Sequence, residues 1–289
     1  MRKHSMPSPR AFERPNGLQW EISPAALERW TPDLQAAAVE DNTISILDPI
    51  GQDPWTGEGV TAKRIAAALR AIGAKKDVTV FLNSPGGDLF EGMAIYNLLR
   101  EHQGDVQVKI LGLAASAASV IAMAGDEILI ARAGFLMIHD TWVFAMGNRN
   151  DLRLIADTLE PFDHAMADIY AARSGQDAKA TLKMMDAETW IAGSAAVEQG
   201  FADDLLPADQ VKKDKNARTD HVAAYLLDMA LAKAGMPRSQ RRELLQDYKA
   251  GTPRAAGAGT PRAAEVDTRA AAEAADYSDF LNSITEKKS

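Results

Sequence analysis

Three stretches of the chain carry groups that could do covalent chemistry. The first is Ile110-Leu111-Gly112-Leu113-Ala114-Ala115-Ser116-Ala117-Ala118-Ser119. Its pattern reads as a buried strand (Val106, Val108, Ile110, Leu111), a glycine turn, and a small-residue helix running to Ala124-Gly125. Ser116 falls at that turn or in the first helical turn. Unpaired N–H groups and the helix dipole there favour developing negative charge, which suits a nucleophilic hydroxyl. The second is His139, ending the apolar strand Phe135-Leu136-Met137-Ile138. A partly desolvated imidazole at a sheet edge can serve as a general base near neutral pH. The third is Pro85-Gly86-Gly87, where the diglycine admits a substrate backbone and turns N–H groups outward, as an oxyanion hole requires. Each also has a plain structural reading: a serine N-cap, a hydrogen-bonded core histidine, a tight turn.

The elements around them must bring these stretches to one edge. Thr43 to Leu47 alternates as a strand, and a helix follows with Ile65, Leu69 and Ile72 on one face, closed by Gly73. A second strand covers 77–83, and a helix with Leu89, Met93, Tyr96 and Leu99 comes next. Strands at 106–111, 127–131 and 135–139 complete the run. Strands alternating with helices of this length imply βαβ crossovers and a largely parallel sheet, an α/β fold covered on both faces. Sites form in such sheets where strand C-termini meet helix N-termini, the edge holding both Ser116 and Gly86-Gly87. A long helix over 151–173 carries Leu152, Ile155, Leu159, Phe162, Met166 and Ile169 as a packing seam, with His164 beside it as a surface residue. Ser194 reads as the cap of a short helix, Ala195 to Gln199.

The organisation expected is an arm with short helices over 1–41, opening a helix at Ser23-Pro24, then a folded domain over 42–206. A helical extension follows over 207–250, with a helix from His221 to Ala234. An Ala/Gly/Pro-rich linker and terminal peptide occupy 251–289, where Thr-Pro-Arg-Ala-Ala occurs at 252 and again at 260. That composition cannot bury enough apolar surface to fold alone, so a poorly ordered tail is expected. With no cysteine, disulfides and thiolate chemistry are excluded. The net charge of −8 argues against nucleic-acid binding. No apolar run is long enough to span a membrane, and no apolar segment follows the basic start, so a cytoplasmic protein is expected. No cofactor or metal set is read from the sequence.

Taken together, Asn83-Ser84-Pro85-Gly86-Gly87, Gly112-Leu113-Ala114-Ala115-Ser116-Ala117, Met137-Ile138-His139 and Ala196-Val197-Glu198-Gln199-Gly200-Phe201-Ala202-Asp203 resemble the Clp protease proteolytic-subunit family. The spellings Ala94-Ile95-Tyr96-Asn97-Leu98-Leu99 and Glu188-Thr189-Trp190 are similar to its phage branch, the head maturation proteases. The resemblance covers about 42–206. It implies the fold shared by Clp proteases and crotonases, repeated β-β-α or βαβ units with a long protruding helix. It implies a serine endopeptidase with Ser116 as nucleophile, His139 as base, and the N–H groups of Gly87 and Ala117 as the oxyanion hole. The family acid is usually an aspartate; alignment on Trp190 places Glu188 there, with Asp186 two residues earlier as the alternative. Ser119, one turn from Ser116, matches no catalytic position. The family also implies homo-oligomeric rings, possibly stacked, joined through the long helix. The resemblance to the phage branch implies an ATP-independent head maturation protease that cleaves scaffold and capsid protein inside a prohead; the alternative is the bacterial branch, in which a separate ATPase assists, this chain having no phosphate-binding Gly-x-x-x-x-Gly-Lys-Ser/Thr motif.

Three rival readings remain at this level. A serine–lysine peptidase would need Lys109, which precedes Ser116 on a strand and is poorly placed. A crotonase-type acyl-CoA enzyme would use the paired N–H groups without the serine. A catalytically silent scaffold protein would be indifferent to Ser116→Ala.

Overall fold

A computed structural model describes residues 6–7, 19–20, 22–37, 41–52, 59–213, 220–234, 236 and 238–249. The linker and terminal peptide after 250 lie outside the described residues, as do residues 1–5, 8–18, 21 and 38–40 of the N-terminal arm. The strands that matter here are β1 (Leu34–Ala36), β2 (Thr43–Ile46), β3 (Val78–Ser84), β4 (Val106–Ala115), β5 (Glu127–Ala131), β6 (Phe135–Ile138), β7 (Thr189–Ala192), β8 (Asp204–Leu206) and β9 (Val211–Lys213). The helices are α1 (Pro24–Arg29), α2 (Ala62–Ile72), α3 (Leu89–Arg100), α4 (Ala117–Ala122), α5 (Arg149–Ser174), α6 (Ala178–Asp186), α7 (Gly193–Glu198), α8 (Asp220–Lys233) and α9 (Arg238–Lys249). None of the described helices is long and apolar enough to cross a membrane.

Seven strands form one sheet, in which β7, β6, β4, β3 and β2 lie side by side in that order. Strand β4 is its spine. It pairs in parallel with β3 along one edge; on the other edge its first half pairs with β5 and its last three residues with β6, both parallel. Strand β8 extends β5 in parallel, and β7 closes the edge antiparallel to β6. Strands buried on both faces explain the near-continuous apolar runs: Val80, Leu82, Val108 and Ile110 are all fully enclosed.

Local chemistry sets the helix boundaries. The Thr61 hydroxyl accepts from Arg64 N–H at the start of α2, and Gly73, at φ +110°, stops that helix. Asp88 caps α3 by accepting from the N–H groups of Phe90 and Glu91. Asn148 and Asp151 form a reciprocal capping box on α5, which ends at Gly175 in the left-handed conformation. One sheet face packs on α3, α4 and α5 through residues such as Tyr96, Ile121 and Tyr170. On the other face Leu113, Ala115 and Met137 meet Leu27 and Trp30 of the α1 segment and Tyr225 and Met229 of α8. The antiparallel pair of β1 with β9 adds a smaller cluster of Ala36, Phe81, Leu111 and Leu206. Asp228 and Arg241 form a buried ion pair at 2.9 Å between α8 and α9.

Four expectations change. There is no turn at Gly112, because β4 runs on through it to Ala115. A Cβ at position 112 would stand 2.4 Å from the Leu34 side chain and 2.9 Å from Asn83 Oδ1, so glycine serves close packing inside a strand. The ladder between β3 and β4 shifts register at this level, and Asn83 Oδ1 accepts the Leu113 N–H at 3.1 Å. Second, α4 spans only six residues, so orphan N–H groups rather than a long macrodipole act at Ser116. Third, α7 starts at Gly193 with Ala192 at its N-cap, so Ser194 caps nothing. A Cβ at Gly193 would sit 2.4 Å from the Ala131 carbonyl oxygen, and the helix turns out of β7 directly. Fourth, within one subunit the seam on α5 is fully buried only after Pro161: Phe162, Met166 and Ile169 are buried and Leu159 packs partly buried on the core, whereas Leu152 is 46% exposed.

Candidate active site

Ser116 follows β4 directly and occupies φ 55°, ψ −126°. That region is costly for a residue with a Cβ, of order 1–3 kcal/mol, and it persists only where the surroundings over-determine it. The Ser116 N–H donates to the Met137 carbonyl at 2.9 Å, which pins the bend to β6. The bend turns the side chain off the sheet toward the end of β6, where His139 Nε2 lies 2.7 Å from Ser116 Oγ. That is hydrogen-bond contact suited to proton transfer from hydroxyl to imidazole.

His139 is buried, with 7% of its surface exposed. Burial pushes its pKa below the ordinary 6.5, and the Glu188 carboxylate pulls it back up in part. The imidazole is therefore neutral and able to accept a proton at neutral pH. The kcat/KM profile for a peptide substrate is expected to rise through an apparent pKa below 6.5 and be flat by pH 7. A limb centred above 6.5 would contradict that environment.

Strand pairing brings Glu188 near His139. Thr189 pairs with Ile138 and Trp190 with Met137, so the residues just beyond this ladder, Glu188 and His139, lie near one another, and the Glu188 carboxylate acts electrostatically on the imidazole. Glu188 itself holds φ 46°, and its Oε1 accepts from the Trp190 indole N–H at 3.3 Å. The Arg29 guanidinium carbon lies 4.1 Å from the centroid of that indole. Asp186 ends α6 and belongs to a different group. Its charge acts on Asp140 and Asp163, and Asp140 is pushed up to about 6 by burial first and then by those two carboxylates. No sequence signal marks this acidic cluster, because its members come from the loop after β6, from α5 and from α6.

The diglycine is held by the Ser84 hydroxyl, which accepts from the Gly86 N–H at 3.2 Å, and by the backbone of Ile50. Ile50 N–H donates to the Gly86 carbonyl at 2.7 Å, and Asp88 N–H donates to the Ile50 carbonyl at 3.0 Å. In this parallel bridge the intervening residue Gly87 turns its own N–H away from Ile50. Both glycines are obligatory here. Gly86 has φ +90°, and a Cβ on it would lie 2.7 Å from Ser116 Cβ; Gly87 has φ +143°, and its Cβ would lie 2.2 Å from the Ile50 oxygen. Ala117, first residue of α4, has an N–H with no acceptor inside the helix. Among the described residues neither the Gly87 N–H nor the Ala117 N–H has a protein acceptor, and Gly86, next to the first, packs against Ser116 and Ala117. Ile50, which sets the direction of the first, carries no sequence signal because it acts through its main chain. Ser119 is fully buried and engaged by hydrogen bonds, and His164 is an exposed neighbour of Glu160 at 3.7 Å.

A hydroxyl on an imidazole, a carboxylate behind that imidazole and two free N–H groups beside the hydroxyl make an arrangement for acyl transfer. The Clp protease family model matches residues 30–209, more than half of the chain. The chain is 28% identical over 179 residues to an ATP-dependent Clp protease proteolytic subunit of Ligilactobacillus salivarius (strain UCC118), covering 60% of this chain and 87% of that protein. It is 30% identical over 166 residues to proteolytic subunit 1 of Prochlorococcus marinus (strain MIT 9312), covering 55% and 85% of the two chains. Against proteolytic subunit 2 of Thermobifida fusca (strain YX) it is 30% identical over 150 residues, covering 50% and 74%. With a family match over residues 30–209, the chain belongs to the Clp protease family of serine endopeptidases.

Proposed function

We propose that this chain is a Clp-type proteolytic subunit that cleaves polypeptides in extended form, with Ser116 as nucleophile, His139 as base, Glu188 as the orienting acid, and the N–H groups of Gly87 and Ala117 as the oxyanion hole. The observation that carries the assignment is the 2.7 Å contact between Ser116 Oγ and His139 Nε2 at a strained turn. His139 takes the Ser116 proton as Oγ bonds to the scissile carbonyl carbon, and the two N–H groups receive the negative oxygen. The C–N bond then breaks, and His139 returns its proton to the leaving amine. A water molecule, deprotonated by His139, attacks the acyl-enzyme; collapse frees the acid product and restores the serine proton. Subunits assemble into rings, and a separate ATPase delivers unfolded chain, as the names of the bacterial relatives suggest.

A second reading, a phage head maturation protease acting without ATP on scaffold or capsid protein in a prohead, is favoured by Glu188-Thr189-Trp190 and by the 80 residues after 209, the end of the family match. Degradation of fluorescein-casein by the assembled protein, with and without a bacterial Clp ATPase and ATP, separates the two. ATPase-dependent stimulation is expected. Cleavage of co-expressed scaffold or capsid protein that needs no ATPase, with no stimulation of casein turnover, would favour the phage reading instead.

A further inference from the structure

Ser119 is fully buried, and its hydroxyl donates to the Ser116 carbonyl oxygen at 2.6 Å. A serine has one hydroxyl proton, and here it is spent on that carbonyl. The second contact of Ser119 Oγ, to Tyr170 Oη at 2.7 Å, must then be donated by the tyrosine. The result is a one-way chain, Tyr170 O–H to Ser119 O–H to the Ser116 carbonyl, arriving from the C-terminal part of α5. The N–H groups of Ser119 and Val120 also donate to that carbonyl, at 2.9 and 3.2 Å. Back-bonding of a helical serine to its own preceding turn is common. Unusual here are the strained residue that receives the bond and the buried tyrosine, 51 residues away, that feeds it.

The Ser116 carbonyl and the Ala117 N–H belong to one planar trans peptide, so they point in opposite directions. Holding the oxygen into α4 aims the N–H out toward the reacting carbonyl. Donors on the oxygen also polarise the N–H, because hydrogen bonds through a peptide group reinforce one another. We propose that Ser119 and Tyr170 are positioning residues that aim and polarise the Ala117 N–H as an oxyanion donor. Both roles presuppose Ser116 as nucleophile and Ala117 as donor.

The test compares wild type with Ser119→Ala, Tyr170→Phe and the double variant, each as assembled full-length protein. It measures kcat and KM on a peptide substrate, the acylation rate by a fluorophosphonate probe, and Tm. Loss of a direct oxyanion donor lowers rates by ~10²–10³, and a group acting through one is expected at roughly ten-fold on kcat and on acylation, with KM unchanged. Ser119→Ala also strands the buried Tyr170 hydroxyl, which lowers Tm. The double variant removes that hydroxyl, so Tm recovers while kcat stays low. Recovery of kcat together with Tm would mean that the pair only packs the core and would overturn the proposal. So would an acylation rate in Ser119→Ala within about two-fold of wild type. Failure of the probe to modify Ser116 in wild type would instead sink the serine-nucleophile assignment, and this proposal with it.

Discussion

Ser116→Ala is expected to lower kcat/KM for peptide hydrolysis by ~10⁶ and to abolish fluorophosphonate labelling, because loss of a triad serine costs about as much as loss of the whole triad. What remains comes from the N–H groups of Gly87 and Ala117 and from substrate binding. Stability should change little. Alanine carries the same Cβ into φ 55°, so the strain of the turn persists, and one partly buried hydrogen bond of about 1 kcal/mol is lost. The variant should therefore fold, assemble and still bind substrate. Ser119 cannot take over: its hydroxyl is bound to the Ser116 carbonyl and Tyr170, and it is fully buried. Peptide mass spectrometry of the labelled wild type checks the site directly. An adduct on Ser119, or hydrolysis that survives Ser116→Ala, would place the nucleophile elsewhere.

Glu188→Gln is expected to lower kcat/KM by ~10⁴, the scale found when a triad carboxylate is removed and the rest is kept. Glutamine loses the charge that stabilises the imidazolium and can present an amide N–H where the imidazole needs an acceptor. The pH profile should move as well. Glu188 raises the His139 pKa, so its neutralisation must shift the acid limb to still lower pH. Asp186→Asn should leave kcat/KM within about three-fold, because the charge that acts on His139 is that of Glu188, whereas Asp186 acts on Asp140 and Asp163. It should ease the repulsion that keeps Asp140 protonated at unusually high pH. A large loss in Asp186→Asn with little in Glu188→Gln would reverse the assignment of the acid.

Much of this architecture was legible in one dimension. The β-branched run of β3, the apolar β4 and the amphipathic α2 are local patterns, and hydrophobic periodicity reports them directly. Ser116, His139 and Gly86-Gly87 could be singled out because each ends or joins an element at the same sheet edge. Gly112 misled because a glycine in a strand and a glycine in a turn look alike. Its reason for being glycine is Leu34, 78 positions earlier in the chain, together with Asn83 on the neighbouring strand. The α5 stripe shows that a helix can pack, within a subunit or against another, and only its neighbours decide which of its residues are covered inside one subunit.

The sequence by itself determined the elements, the fold class and a short set of residue types able to do acyl transfer, since propensity, periodicity and turn chemistry act over a few residues. Tertiary structure decided what depends on contact between distant segments. It set the positive-φ bend at Ser116, the Ile50 bridge that turns the Gly87 N–H outward, the strand pairing that brings Glu188 near His139, and the Tyr170 hydroxyl behind Ser119. Hydrogen bonds are directional and short, so an arrangement built from them exists only once the sheet has brought their partners within about 3 Å.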